Sequence, residues 1–484
     1  MIGKRIAWAR GAALTACSIL LSIVQSGCSA YIPVVIEPAV LAADFQSRSL
    51  HDPRLNQFLA AVDPEGAPRS DHTWDLTSLT LVALYYHPEI EVSRAKVAQA
   101  EAAIITAGQI PNPELNATAT LHSITTPSPW TIGALINFLL ETSGRRALRI
   151  AQADHLAEAA RLDLMAASWQ VRGRVRSALI ALWAAQTKGR LLLKQRELQV
   201  ELVSVLDRQL AAGDVAALLV SRERSTLSQI RLTVDDANRQ LAEAQVQLAT
   251  SVGMPVSALK DAKKSFGFFE TPPQQTILNA SINFRREAIL GRGDLQVLLA
   301  EYDAAATAVQ LELAKQFPNI TLGPGYTYDQ GDNLFSLGFV AELPIFNRNE
   351  GPIAEADAKR IEVAMRFNAL QAQIVGEVDL ATAGYKASQK SLTTANGLHV
   401  SEHERQQKTE RAFKAGEIDR QTYLAGELEF AVIDAARADA LVQNRLSIGL
   451  LEDSLRRPLF DPGAFAFLKD NGATSSIGGM AARE

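Results

Sequence analysis

The amino-acid sequence predicts a mainly α-helical fold with a small β part, built from one unit that occurs twice. Long proline-free stretches rich in Ala, Leu, Glu, Gln and Arg favour extended helices. Two short segments in each half of the chain alternate apolar and polar residues, which is the period of a strand with one wet face. Each unit is therefore predicted as helix, strand, strand, very long helix, turn and helix.

The duplication appears when the sequence is aligned with itself, which is the first test for a long helical chain. A shift of 205 positions pairs Ala95 with Ala300 in the first helix of each copy. Beyond the strand segments the shift becomes 203 and pairs Gly213 with Gly416. The register is kept without a gap on each side of the strands, so the two copies are one duplicated unit.

The first helix of the unit is predicted over Asp75–Gln109, because the Pro-Asn-Pro that follows cannot continue a helix. The alternating segments of the two copies are 113–122, 130–140, 320–328 and 334–343. Each is about ten residues long, the length of a tilted strand that crosses a bilayer. Alternating faces are also what a barrel wall between lipid and water requires.

Four strands in one chain cannot close a barrel, and open edges in lipid would leave backbone groups unpaired at a cost of several kcal/mol each. Several chains must therefore share one barrel, and three copies would supply twelve strands around a polar lumen. The expected assembly is a trimeric, 12-stranded transmembrane β-barrel joined to a long α-helical coiled-coil barrel. A soluble sheet with one solvated face is the alternative.

The very long helix of the first copy is predicted over Arg145 to Ala212, where the chain has no proline. At about 1.5 Å per residue it extends roughly 100 Å. Its apolar residues recur mostly every three or four positions, the spacing of a coiled-coil seam. Glycines reverse the chain at the far end, so the predicted hairpin tips are Gly213-Asp214 and Gly416-Glu417.

The N-terminus has the pattern of a secretory signal that ends in a lipobox. Basic residues precede an apolar stretch, and Ser26-Gly27-Cys28 follows, so Cys28 is the predicted lipidated residue. A similar tetrapeptide ends at Cys17, but cleavage there would leave too short an apolar segment. Cleavage before Cys28 leaves one cysteine in the mature chain, which excludes an internal disulfide.

The length and net charge of the chain limit which classes of protein and partner fit the sequence. The chain has 484 residues and a net charge of −5, so it can bury several cores and has no basic excess that would indicate nucleic acid as a partner. The predicted segments are a signal peptide (1–27), a lipidated linker (28–73), the first repeat (74–255), an equatorial inter-repeat segment (256–284), the second repeat (285–458) and a C-terminal tail (459–484).

In these segments the chain resembles the TolC-type outer-membrane efflux proteins, most of all their heavy-metal branch, which is CzcC-like or CusC-like. The resemblance covers roughly residues 74 to 458. It rests on WDL near residue 74, HPEI at 87–90, NPEL at 112–115, SGRRALRI at 143–150 and LPIFNRNEGPIAEAD at 343–357. Each motif alone is weak, but their order within two in-register copies is specific.

The resemblance implies a homotrimer in outer-membrane lipid, with passive export driven by an inner-membrane RND-type pump through a periplasmic adaptor. It implies that the adaptor contacts the hairpin tips. It also implies a junction where barrel strand becomes tunnel helix, at Gly144, Arg145, Asn347, Arg348 and Gly351.

The resemblance is weaker at the gate, meaning the residues near the hairpin tips that close the tunnel in this family. Members of the family pinch the tunnel with acidic residues about two turns after the second tip glycine, but Thr422 and Ala425 occupy those places here. The nearest charged candidates for a gate are Arg222, Asp419 and Arg420.

Residues for catalysis or a cofactor are scarce. His399 and His403 lie four positions apart on one predicted helix face, as a metal-binding pair could. No third ligand is evident, and a solvated coil face is the simpler interpretation, so no metal site and no cofactor are predicted. No constellation of nucleophile, base and orienting group can be located, so the chain is not expected to be an enzyme.

Two classes of function remain open from the sequence. An export channel accounts for the signal, the strands, the long helices and the duplication together. A structural coiled-coil lipoprotein that spaces the envelope is the alternative, and a peptidoglycan-active enzyme is a distant third. Within the channel class the cargo is open between metal cations, drugs and secreted proteins, so the outer-membrane component of a protein secretion system is also possible.

Overall fold

The computed structural model describes residues 31, 33, 35–62, 73–123, 127–270 and 284–459. The predicted signal peptide, Cys28 and nearly all of the predicted tail lie outside these residues. The chain divides into two units, Met1–Arg48 and Ser49–Glu484. The first unit contains one described helix, α1 (Pro38–Ser47), in which no residue is buried.

The second unit contains all the other described elements, in the predicted order. The first copy and its flanks comprise α2 (Pro53–Val62), α3 (Leu76–Tyr86), α4 (Pro88–Ala107), β1 (Glu114–Leu121), β2 (Trp130–Leu140), α5 (Arg145–Ala212), α6 (Ala217–Val252), α7 (Val256–Lys260) and α8 (Gly267–Glu270). The second copy comprises α9 (Phe284–Gly291), α10 (Gly293–Ala314), β3 (Ile320–Asp329), β4 (Asp332–Ala341), α11 (Glu350–Lys414) and α12 (Arg420–Leu455). The mainly α fold with a small β part is therefore confirmed.

The four strands form one antiparallel sheet in the order β1-β2-β3-β4. The strands of the second copy are joined by the two-residue turn Gln330-Gly331, in which φ is 50° and 121°. Positive φ at both positions is what a tight hairpin needs to match the strand twist. This turn places β4 two residues earlier than the sequence predicts at each of its ends.

The sequence predicts one helix over Asp75–Gln109, but the structure has two helices there, so the prediction of a single helix is wrong. α3 ends at Tyr86, His87 has an extended backbone with φ −72° and ψ 126°, and α4 begins with Pro88. The proline disfavours helical geometry in the residue before it and suits the first position of a new helix. The His87 side chain accepts a hydrogen bond from the Glu89 amide and caps α4.

The core of this unit lies around the middle of the long helices. Leu79 of α3, Leu179 of α5 and Leu248 of α6 are fully or almost fully buried in its largest apolar cluster. Each such side chain contributes about 1.5–3 kcal/mol through burial. A second cluster joins α9, α11 and α12, and a third lies towards the hairpin tips around Leu206 and Leu424. Within the described ranges, no helix is both long enough and apolar enough to cross a membrane.

A buried ion cluster joins the long helix of the first copy to the return helix of the second. Glu452 is 0% exposed, and its Oε2 lies 3.1 Å from Arg172 Nη1 and 2.8 Å from Arg176 Nη1. Its Oε1 accepts a hydrogen bond of 2.7 Å from the Leu459 amide. Arg176 also contacts Asp453 at 2.5 Å. The Glu452 carboxylate thus pairs with two buried guanidinium groups, and its removal would take a negative charge away from both.

We expect Glu452→Ala to lower the free energy of unfolding by about 3–5 kcal/mol, because it removes the buried carboxylate that two buried guanidinium groups share. Denaturant unfolding of the detergent-solubilised chain, followed by circular dichroism, measures this. The control is Arg224→Ala, which breaks an exposed ion pair of 2.9 Å with Asp207 and should cost at most about 1 kcal/mol. Equal losses in the two variants would contradict the role assigned to Glu452.

Candidate functional site

The sheet has one almost wholly apolar face. Residues that pair directly across antiparallel strands share a face, so the register puts odd positions of β1 and β4 together with even positions of β2 and β3. All of these residues except Asn333 are apolar or aromatic. Most of them are also exposed in the single chain, as Leu337 at 75% and Phe339 at 76% illustrate.

The opposite face of the sheet is mostly polar side chains and glycines. Thr118, Asn137, Thr327 and Ser336 lie on it. The outer edges of β1 and β4 have no strand partner within the described chain. The sheet is therefore a two-sided wall with a continuous apolar surface, a polar surface and two open edges.

The strands join the long helices through left-handed backbone in both copies. Ser143 and Gly144 precede α5 with φ of 56° and 68°, and Asn349 precedes α11 with φ 65°. α11 begins at Glu350, so the predicted junction residue Gly351 lies in its first turn. Asparagine tolerates this conformation better than most residues. The Asn349 Nδ2 donates to the Glu312 carbonyl oxygen at 2.7 Å and to Glu312 Oε2 at 2.9 Å, which fixes the turn against α10.

The neighbouring junction residues tie the sheet to the ends of the preceding helices. Arg145 donates to the carbonyl oxygens of Ala314, Lys315 and Phe317 at the end of α10. Arg146 donates to the Gly108 carbonyl oxygen at the end of α4, at 2.7 Å. Cationic groups at helix C-termini satisfy carbonyls that have no partner within the helix. Arg145 thereby joins the first copy to the second.

Asn347 and Arg348, the other predicted junction residues, shape the turn itself. Asn347 Oδ1 accepts from the Asn349 amide at 2.6 Å. The Arg348 amide donates to Glu350, and its carbonyl oxygen accepts from Gln316 at 3.0 Å. Asn349 lies within the junction that the sequence predicts, but the sequence did not single out Glu312, which lies 37 positions away and is linked to Asn349 by no local pattern.

Both predicted hairpin tips have the same geometry. Gly213 and Gly416 adopt φ of 84° and 76°, as predicted. The amide after each glycine closes the turn, so Asp214 donates to Gln209 O and Glu417 donates to Ala412 O, each at 2.9 Å. This is the Schellman arrangement, which satisfies the last carbonyls of a helix. A Cβ at either glycine would meet nothing within 4 Å, so the constraint on these positions is backbone conformation alone.

The three gate candidates have different surroundings. Arg420 binds Glu201 on the long helix of the first copy, with Nε 2.7 Å from Oε1. Its guanidinium lies 5.1 Å from the ring centroids of both Phe413 and Tyr423. Arg222 is exposed on α6. Sequence reasoning missed Glu201, since it is 219 positions away from Arg420 and no local pattern links the two.

Asp419 has a local structural role at the start of α12. Its Oδ1 accepts a hydrogen bond of 2.8 Å from the Thr422 amide, which makes it the N-cap of the helix. That backbone hydrogen bond and the Thr422 hydroxyl hold the pKa of Asp419 below its ordinary value. The cap is therefore retained at neutral pH.

His399 and His403 lie together on α11 as predicted, with parallel rings. In the described part of the chain, no group of three or more His, Cys, Asp or Glu residues is placed to hold a metal ion.

A model of the outer membrane efflux protein family matches residues 81–254. This part of the chain is therefore similar to outer membrane efflux proteins. The matched segment runs from α3 to the end of α6 and so includes β1, β2, one junction and one tip. The same elements recur in the second copy.

Relatives and solved structures extend the similarity along the chain. The cobalt-zinc-cadmium resistance protein CzcC of Cupriavidus metallidurans is 25% identical over 345 residues, which cover 70% of this chain and 77% of that protein. The pyoverdine export outer membrane protein OpmQ of Pseudomonas aeruginosa is 26% identical over 403 residues, covering 77% and 82%. The outer membrane protein VceC of Vibrio cholerae shares the fold with a TM-score of 0.63 at 17% identity, covering 83% of this chain and 98% of that one.

We expect Gly416→Val to open the second tip, because a β-branched residue in left-handed backbone costs at least about 1–2 kcal/mol. The amides of Gly416 and Glu417, which donate to Phe413 O and Ala412 O, should then exchange faster. Hydrogen exchange with mass spectrometry measures this on the intact chain.

The matched control for this prediction is Gly416→Asn, since asparagine tolerates the same backbone and should keep the protection. Unchanged exchange in the valine variant would show that the turn does not depend on the glycine.

Proposed function

We propose that this protein is the outer-membrane exit duct of a tripartite efflux system, passively exporting what an inner-membrane pump delivers through a periplasmic adaptor. The observation that carries the proposal is the sheet, whose exposed apolar face suits lipid and whose polar face suits a water-filled lumen. The match of residues 81–254 to the outer membrane efflux protein family supports it.

The open sheet edges favour an assembly of three chains. In lipid every backbone donor and acceptor needs a protein partner, so β1 and β4 must pair with strands of neighbouring copies. Three chains would give a closed barrel of twelve strands, wide enough for a lumen. The long helices α5 and α11 would extend the duct into the periplasm as an α-helical tunnel.

The proposed partners follow from the two ends of this duct. The hairpin tips at Gly213-Asp214 and Gly416-Glu417 would contact a periplasmic adaptor, which would connect the duct to an RND-type pump. The name of CzcC supports cobalt, zinc and cadmium cations as the cargo, whereas the name of OpmQ supports pyoverdine. We propose metal cations, because the sequence motifs at the junctions resemble the heavy-metal branch. A spacer lipoprotein remains the alternative class, and it predicts no conductance.

The proposed barrel wall can be tested by substituting two adjacent residues of β4 that lie on opposite faces of the sheet. Leu337→Arg should reduce insertion into the membrane, at a cost of about 2–4 kcal/mol near the bilayer centre. Ser336→Arg should leave insertion intact and lower cation conductance, because it places charge in the lumen. Membrane fractionation and planar-bilayer recording measure the two effects. Equal tolerance of both changes would favour a soluble sheet and contradict the proposal.

Lipid anchoring at Cys28 is part of the proposal. Cys28→Ser should abolish incorporation of labelled palmitate, and the trimer should still insert because the barrel holds itself in lipid. Metabolic labelling measures the first effect and outer-membrane fractionation the second. The control is Cys17→Ser, which should keep the label because Cys17 lies within the removed signal. Label that persists on the Cys28 variant would contradict the assignment.

We propose that Arg420 and Glu201 help to hold the resting tunnel closed, because the pair links α12 of the second copy to α5 of the first. Arg420→Ala and Glu201→Gln should each raise resting single-channel conductance. Exposed ion pairs contribute at most about 1 kcal/mol each, so the effect relies on three-fold repetition and on the stacked rings of Phe413 and Tyr423.

The control for this gate is Arg222→Ala, which should leave resting conductance unchanged. Asp419→Asn is a second control, because asparagine also caps a helix well. Unchanged conductance in both the Arg420 and Glu201 variants would place the closure elsewhere.

A further inference from the structure

Two histidine side chains lie close together on the helical hairpin of the second copy, which is formed by α11 and α12. His399 and His403 lie one turn apart on α11, with ring planes 8° from parallel and ring centroids 6.2 Å apart. Phe430 of α12 contacts both rings, at 5.3 and 5.6 Å between centroids. His403 is exposed and His399 is half-buried, so both rings are accessible to water.

The hydrogen bonds of the two rings determine which nitrogen of each carries a lone pair. His403 Nδ1 lies 3.2 Å from Gln406 Oε1, so it donates, and the lone pair of Nε2 accepts from the Gln407 side-chain amide at 3.0 Å, a hydrogen bond that a metal ion would replace. His399 Nε2 lies 3.4 Å from Asp434 Oδ1, which favours the proton there and a lone pair on Nδ1. A carboxylate or amide behind an imidazole is the usual outer partner of a metal-binding histidine.

The spacing of the rings also suits a shared ion. A metal ion bound at about 2.0–2.1 Å from a ring nitrogen sits about 3.2 Å from the ring centroid, so two imidazoles on one ion have centroids about 5 to 6.4 Å apart. The observed 6.2 Å falls within that range. Rotation of the rings, without movement of the helix, is therefore enough to bring both nitrogens to one ion.

The duplicated copy shows that the coiled coil does not need these histidines. The positions that match His399 and His403 at the shift of 203 hold Arg196 and Val200, and the position that matches Asp434 holds an arginine. The same helical hairpin is thus built in the first copy from ordinary surface and packing residues. The imidazole pair and its carboxylate are features of the second copy alone.

We propose that His399 and His403 form a binding site for a divalent transition-metal ion of the zinc, copper, cobalt or nickel class. Imidazole nitrogen suits these ions, and affinity within the class is greatest for copper. Two imidazole nitrogens hold the ion and water completes its coordination, with Asp434 orienting His399 from behind. Such a two-ligand site exchanges its ion readily, as a contact on a transport path requires. Binding to the purified chain does not depend on the proposed export function.

The test uses the full-length chain in detergent. Titration with Zn²⁺ by calorimetry should show one ion per chain, and Cu²⁺ electron paramagnetic resonance should show coupling to two imidazole nitrogens. His399→Gln and His403→Val should each lose the second nitrogen signal and weaken Zn²⁺ binding at least tenfold. The double variant His399→Arg with His403→Val installs the residues of the first copy, so it should fold normally and lose the site.

The matched control is His155→Ala, which removes a histidine from the long helix of the first copy and should leave the stoichiometry and both signals unchanged. Circular dichroism confirms that each variant is folded. Zn²⁺ binding that survives in the double variant, or that is lost equally in the His155 variant, would overturn the proposal. A failure of export with metal binding intact would instead count against the proposed function only.

Discussion

The unpaired backbone at the two edges of the sheet is the constraint on which the proposed assembly depends. A soluble protein can leave such edges in water, but in lipid each unsatisfied group costs several kcal/mol. The apolar face of this sheet is continuous across all four strands, so the surface that suits lipid lies directly beside the edges that cannot remain open in lipid. In the proposed membrane setting one chain cannot close the wall, and the strands of neighbouring copies would supply the missing partners.

The junction residues connect the sheet to the long helices, so the position of the sheet also determines the position of the helices. In both copies the chain passes from a sheet strand to a long helix through left-handed backbone, at Ser143 and Gly144 in one copy and at Asn349 in the other. The arginines that follow Gly144 donate to carbonyls at the ends of α4 and α10, so the helices that enter the sheet are held against the helix that leaves it. Because Arg145 reaches the second copy, the two halves of the wall are fixed to each other at the base of the tunnel.

Much of this arrangement could be predicted from local pattern. The bounds of α5 and β2 and the left-handed tip glycines follow from proline, alternation and glycine alone, and the structure has them as predicted. The break at His87 was missed, because the apolar period on both sides of Pro88 reads as one helix. The contact of Arg420 with Glu201 and the cluster at Glu452 could not be predicted, since each joins residues more than 200 positions apart and depends on how the two copies pack.

The two copies have similar lengths of long helix but very different burial. α5 has 68 residues and buries 22 of them, including most of the core around Leu179, whereas α11 has 65 residues and buries only Val363, Ile374, Val378 and Ala381. Duplicated helices with the same seam spacing should bury similar surfaces once each has its neighbours. Among the described residues α11 therefore has only part of the neighbours that α5 has, and the proposed trimer would supply more of them from another copy. This difference lies along the helices and is independent of the open sheet edges. The proposed assembly would thus cover two separate surfaces of the described chain, one in the sheet and one along the long helices.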